Sequence, residues 1–103
     1  MTVTGYTKNR ILYISLSGEM DECSALGART QCDKLIEDNI NAEKIVINLS
    51  DVAFMDSTGI GFLIGRYKKA VKMSTPIYIM NPNFAADKIL NLSGIYSLIP
   101  KAE

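Results

Sequence analysis

The sequence predicts an α/β sandwich in which a mostly parallel sheet of four to five strands, its first strand antiparallel, carries helices largely on one face. Three observations lead to it. Two strand-like segments at the start are separated only by Asn9-Arg10, which makes them a strand pair. The run Ile45-Val46-Ile47-Asn48-Leu49 is short, apolar and rich in branched side chains, as in a central strand covered on both faces. From about residue 22 onward, helical and strand-like periodicities alternate, which is the pattern of βαβ units.

Taken in order, residues 3–8 form the first strand and residues 11–17 the second, where Leu12, Ile14 and Leu16 alternate with Tyr13, Ser15 and Ser17. A period of two buries one face of the pair. Gly18 breaks the pattern ahead of Asp21, after which Ala25, Ala28, Cys32, Leu35 and Ile36 recur at helical spacing and predict a helix over about 22–38. The strand at 45–49 and the segment 51–55 lead to Asp56-Ser57-Thr58-Gly59-Ile60-Gly61, where a second helix begins and runs to about residue 73. Ser74-Thr75-Pro76 turns the chain into a strand over 77–80. Asn81-Pro82 predicts the start of a third helix, because proline at the first helical position gives up only an N–H that has no partner there. That helix ends near Leu92, closed by Ser93-Gly94, and residues 95–99 are apolar enough to return to the core or the sheet edge.

At 103 residues and 48% hydrophobic composition, the chain supports one core and one domain, residues 1–103. Eleven basic and eleven acidic residues cancel, so no broad positive field is available to hold a nucleic-acid backbone or an anionic membrane. No apolar run approaches the ~20 residues of a membrane span, and Met1-Thr2-Val3-Thr4-Gly5 lacks the basic and apolar regions of an export signal, so the chain reads as cytoplasmic. Cys23 and Cys32 lie too far apart on one predicted helix for a disulfide and lack metal-ligand spacing.

The absence of histidine removes the usual general base for a nucleophile and the commonest transition-metal ligand. Asp56-Ser57-Thr58-Gly59 is only superficially similar to the aspartic-protease loop, since an extra residue intervenes and no second copy supplies a paired carboxylate. Gly59, Gly61 and Gly65 do not form the dinucleotide-binding fingerprint. The sequence therefore predicts no catalytic residue, no metal and no cofactor; a helix N-terminus near Ser57 attracts anions only in the unspecific way that any helix does.

The second helix holds the chemistry of interest. Its apolar residues Ile60, Leu63, Ile64, Tyr67, Ala70 and Val71 follow one stripe, which leaves Thr58, Gly61, Phe62 and Gly65 facing outward. An exposed helical glycine is less favourable than alanine by about 1 kcal/mol. Two readings stand: a partner docks on this face, or the glycines accommodate a neighbouring element of the same domain. Ser57, at the head of that helix, is either a cap that satisfies an orphan N–H or a hydroxyl placed for modification.

Phe54-Met55-Asp56-Ser57-Thr58-Gly59-Ile60-Gly61, followed by Gly65-Arg66-Tyr67-Lys68, closely resembles the signature of bacterial anti-sigma-factor antagonists, which are STAS domains, and of the sporulation type most of all. The resemblance extends to Leu16-Ser17-Gly18-Glu19-Met20-Asp21, to the run at 45–49 and to Leu92-Ser93-Gly94-Ile95, so nearly the whole chain is covered. It implies a STAS-like fold and a non-enzymatic regulator of sporulation or of a stress response. It further implies that Ser57 is phosphorylated by an anti-sigma factor that is itself a serine kinase. The unphosphorylated form would bind that kinase and free its sigma factor, the phosphorylated form would let go, and a serine phosphatase would act transiently to restore it.

The partner-binding residues implied are Asp21, Asp56, Thr58, Gly59, Gly61, Phe62, Gly65 and Arg66. Asp21 reads equally as the cap of the first helix, and Arg66, Lys68 and Lys69 as a solvated face, with Arg66 able to meet acidic groups on a kinase. The chain departs from the resemblance in stopping soon after Ile99, where many relatives continue into a last helix, and in lacking glycines at Met73-Ser74-Thr75-Pro76. The alternative is a STAS scaffold, or a sensor of a small ligand or nucleotide, whose Ser57 only caps a helix.

Overall fold

The computed structural model describes residues 1–102. Strands β1 (Thr2–Lys8), β2 (Ile11–Met20), β3 (Lys44–Met55) and β4 (Ile77–Met80) lie side by side in that order. β1 runs antiparallel to β2, and β2, β3 and β4 are parallel. Helices α1 (Glu22–Asp38), α2 (Ser57–Lys72) and α3 (Phe84–Ser93) fill the connections, and a single 3₁₀ turn covers Ile95–Ser97. The two crossovers through α1 and α2 step in the same direction across the sheet, so right-handedness places both helices on one face.

That face holds the core. Leu12, Ile14 and Leu16 of β2, Ile45, Ile47 and Leu49 of β3, and Ile77 and Ile79 of β4 are buried with Ala28, Cys32 and Ile36 of α1, Leu63 and Ala70 of α2, and Ala86 and Leu90 of α3. The opposite face of β3 is covered by side chains instead of helices. Val46 lies in register between Tyr13 and Tyr78 and is buried, Tyr6 stacks on Tyr13 with ring centroids 5.2 Å apart, and Lys44 reaches over the Tyr78 ring.

The structure departs from the sequence expectations in three places. Gly18 does not end β2: with φ at +116° it sits beside a register shift against β3, and the strand continues to Met20. A bulge lets a ladder absorb an extra residue without ending it, and the left-handed backbone there suits glycine. For the same reason β3 is one twelve-residue strand and not a short run followed by a separate segment. The third helix starts later than Asn81-Pro82. Asn81 turns the chain with φ at +55°, Pro82 lies in the connection, and Asn83 caps the helix by accepting from the Ala86 N–H at 2.8 Å while donating to the Val52 carbonyl at 3.0 Å.

The 3₁₀ turn and the residues after it return both to the core and to the sheet edge. Ile95 and Ile99 are buried, and the Pro100 carbonyl and the Ala102 N–H bond to Ile79, a parallel bridge beside β4. The segment is clamped to α3 by Asp87, whose Oδ1 accepts from Lys101 Nζ at 2.7 Å and from the Tyr96 hydroxyl at 2.5 Å. The Lys101 and Tyr96 bonds hold the Asp87 carboxyl below the usual carboxylate range, and burial followed by the Asp87 bond pushes the Tyr96 phenol up. A carboxyl with a depressed folded pKa stabilises the fold above its unfolded pKa, and that contribution fades as pH falls through the folded value. Wild-type protein is therefore expected to have a higher urea midpoint than Asp87→Asn near neutral pH, with the gap closing as pH falls below the ordinary aspartate pKa of about 3.9. A gap that stays constant over that range would show that Asp87 is not the titrating group.

Candidate functional site

Parallel pairing sets the site. Glu19 pairs with Phe54 and Met20 with Met55, so β2 and β3 end side by side and release Asp21 and Asp56 as neighbouring helix caps. Asp21 accepts from the Ser24 N–H at 3.0 Å while the Ser24 hydroxyl accepts from the Asp21 N–H at 3.2 Å, a reciprocal capping box. Asp56 Oδ1 accepts from the Thr58 N–H at 2.8 Å. The α2 cap is thus supplied by Asp56. Ser57 is the first helical residue and is exposed, and among the described residues its hydroxyl has no hydrogen-bond partner. Adjacent strands stand about 4.8 Å apart, so two carboxylates and a free hydroxyl share one edge of the sheet.

Along α2 the predicted outward face divides. Gly61 is exposed and Gly65 half-buried, and a methyl group built on either would meet nothing within 4 Å. Thr58 is half-buried. Gly59 is not on the outward face: it is buried, and a Cβ there would overlap Met55 and press on Met20. Its small size serves the packing of α2 onto the strand ends, which overturns its expected place on a partner surface.

Phe62 and Arg66 are likewise not outward. Phe62 is 6% exposed and Arg66 4%, both turned toward α1. The expectation failed because a helix wedged between a sheet and two other helices, α1 and α3, buries an arc wider than one stripe. Leu63 and Ala70 serve the core with the sheet, Phe62 and Arg66 face α1, and Val71 at the edge of the predicted stripe is left 55% exposed. Arg66 Nε lies 2.9 Å from Asp33 Oδ1 of α1, and its guanidinium carbon sits 5.0 Å from the centroid of the Phe62 ring. The N–H does not point at the oxygen, so the contact is an ion pair without an aligned hydrogen bond, and among the described residues Nη1 has no hydrogen-bond partner. Burial lowers the Arg66 pKa while Asp33 opposes the shift, and burial pushes the neighbouring Cys32 thiol up to about 12, which keeps it protonated and inert. Both cysteines are free, Cys23 on the surface and Cys32 in the core.

Between α1 and α2 runs a groove of about 610 Å³. Its walls are Ala25, Leu26 and Arg29 on one side and Thr58, Gly61 and Gly65 on the other. The sequence reading missed the α1 wall. Leu26, 70% exposed and off the apolar stripe of its helix, was the available signal.

A family model described as STAS domain matches residues 3–103. The chain belongs to the STAS family. It is similar to the anti-sigma F factor antagonist of Paenibacillus polymyxa, 32% identical over 90 residues that span 87% of this chain and 76% of that protein. It is also similar to the anti-sigma-B factor antagonist of Bacillus subtilis, 27% identical over 88 residues, 85% of this chain and 78% of that one. Among solved structures, an anti-sigma factor antagonist from Mycobacterium paratuberculosis superposes with a TM-score of 0.85 at 24% identity, covering 97% of this chain and 83% of that chain. The antagonist SpoIIAA in its unphosphorylated form superposes with a TM-score of 0.79 at 23% identity, covering 99% and 89%. These structures share the STAS fold, with its antiparallel first strand, parallel remainder and three helices.

Proposed function

We propose that this STAS protein is an anti-sigma-factor antagonist that works by partner switching, with Ser57 as the modified residue. The unphosphorylated chain binds a kinase-type anti-sigma factor and frees its sigma factor; phosphate on Ser57 ends the complex, and a serine phosphatase restores it. The protein acts as a regulatory binding protein and catalyses nothing itself. The observation that carries this reading is the position of the Ser57 hydroxyl, exposed and unbonded at the first helical residue, with its capping duty taken by Asp56. That division of labour counts against the scaffold alternative, in which Ser57 is retained only as a cap. The names of the relatives support the class of partner, and SpoIIAA, a neighbour in fold, is known in unphosphorylated and phosphorylated forms, the latter superposing on this chain with a TM-score of 0.70.

The physical basis is a difference between fold and complex. A phosphate adds about −1.5 to −2 charges at a helix N-terminus, where unpaired N–H groups favour negative charge, so the fold tolerates it. Asp21 and Asp56 on the same edge make that edge strongly negative once the phosphate is added, and a partner fitted to the neutral hydroxyl meets unpaired charge. A penalty of about 2.7 kcal/mol suffices to weaken binding roughly a hundredfold.

Incubation of the purified chain with candidate kinase-type anti-sigma factors and ATP, mapped by mass spectrometry, is expected to place phosphate on Ser57. Ser57→Ala is expected to bind the kinase without being modified, and Ser57→Asp to bind about a hundredfold more weakly in calorimetric titration. No phosphate from any kinase, together with equal binding by the two variants, would remove the switch and leave a scaffold.

A further inference from the structure

Gly61 and Gly65 stand one turn apart on α2, and nothing among the described residues accounts for them. A Cβ at either position would find open space, whereas at Gly59 on the same helix it would collide with Met55. Glycine is a poorer helix former than alanine, so these positions lose helix stability without any internal packing in return. Both line the α1–α2 groove. The same groove is lined by Arg66, 4% exposed, whose Nη1 has no hydrogen-bond partner among the described residues and whose Nε lies 2.9 Å from Asp33 Oδ1 without an aligned hydrogen bond. A buried guanidinium with unused donors calls for an acceptor. The charged residues lining the groove are Arg29, Arg66 and Lys68 against a single Glu22, so the acceptor it favours is anionic.

We propose that this groove seats a helix of the kinase-type anti-sigma factor, with a carboxylate of that helix directed at Arg66 and with Leu26 as an apolar anchor at the rim. This rests on the partner-switching reading above and adds the shape and chemistry of the element that docks. A helix fits where a strand does not. The groove is bounded by two helices and offers no sheet edge, so an extended segment would leave its own N–H and C=O groups unpaired, while a helix satisfies them internally. Small residues spaced one turn apart let a second helix axis approach closely, as side chains of ordinary size would not. The placement also accounts for release. Thr58 lines the groove and follows Ser57 directly, so a phosphate on Ser57 sits near its end, where it repels a carboxylate-bearing helix.

The kinase that modifies Ser57 is titrated calorimetrically against unphosphorylated Gly61→Ala, Gly65→Ala and Lys68→Glu, and the melting temperature of each free variant is recorded. The alanine variants are expected to melt roughly 4–8 °C higher than wild type while their affinity for the kinase falls at least about tenfold. Lys68→Glu is expected to bind more weakly, with the loss shrinking at high salt. Alanine variants that bind as wild type would overturn the groove proposal, as would a fall in their melting temperature, which would give the glycines an internal packing role. Either result leaves the switch standing, because that reading fails on a different measurement, equal kinase affinity of Ser57→Ala and Ser57→Asp.

Discussion

Phe62→Ala is expected to lower folding stability by about 3–5 kcal/mol, the range for removing a buried aromatic ring. The ring is 6% exposed within the main hydrophobic cluster and forms one face of the contact between α2 and α1. Its removal takes away apolar area, opens a cavity between two helices that the sheet holds in place, and strips the Arg66 guanidinium of the aromatic face it lies against. Urea denaturation followed by circular dichroism measures the loss. At a temperature where the variant stays folded, its affinity for the kinase is expected to fall as well, because the ring also lines the α1–α2 groove beside Arg66. A stability loss below about 1 kcal/mol would show that the ring is not packed between the helices as the structure places it.

The second large effect concerns the ion pair behind that ring. Asp33→Ala is expected to cost about 3 kcal/mol, and Arg66→Met about 1 kcal/mol or less, although both break the same contact. The asymmetry follows from exposure. Asp33 keeps 23% of its side chain in solvent, so once Arg66 is gone the carboxylate can hydrate; Arg66 keeps 4%, so without Asp33 it is left charged, buried and unpaired. Methionine also preserves most of the stem that packs between the helices. The double variant should recover most of the Asp33→Ala loss. A double-mutant cycle in urea reads the coupling directly, and equal costs for the two single changes would mean that neither charge is confined as the structure places it.

Much of the architecture was legible beforehand because it rests on local periodicity. The alternation in β2, the helical spacing of Ala28, Cys32 and Ile36, and the short strand at 77–80 each declare their element within a few residues. Boundaries were harder where a tertiary contact sets them. Asn83 and not Asn81 caps α3 because its amide also reaches the Val52 carbonyl, 31 positions away, and β2 runs past Gly18 because β3 lies alongside to pair with it. At the site, the order Asp56-Ser57 was enough to mark a helix start with a hydroxyl on it. Which of the two would cap, and which would remain free, depended on side-chain geometry that spacing does not contain.

The sequence alone determined the fold class, the strand-to-helix junction at Ser57 and the absence of a histidine-based catalytic apparatus, since each depends on residue type and short-range pattern. Only the tertiary structure decided which sides of α2 are covered. A single stripe assumes one packing partner, and α2 packs against the sheet, α1 and α3, so Phe62 and Arg66 turned inward while Gly61 and Gly65 stayed open beside Leu26. The number of surfaces pressing on a helix is set by residues far away in the chain, and that is why its exposed side could not be read from its own sequence.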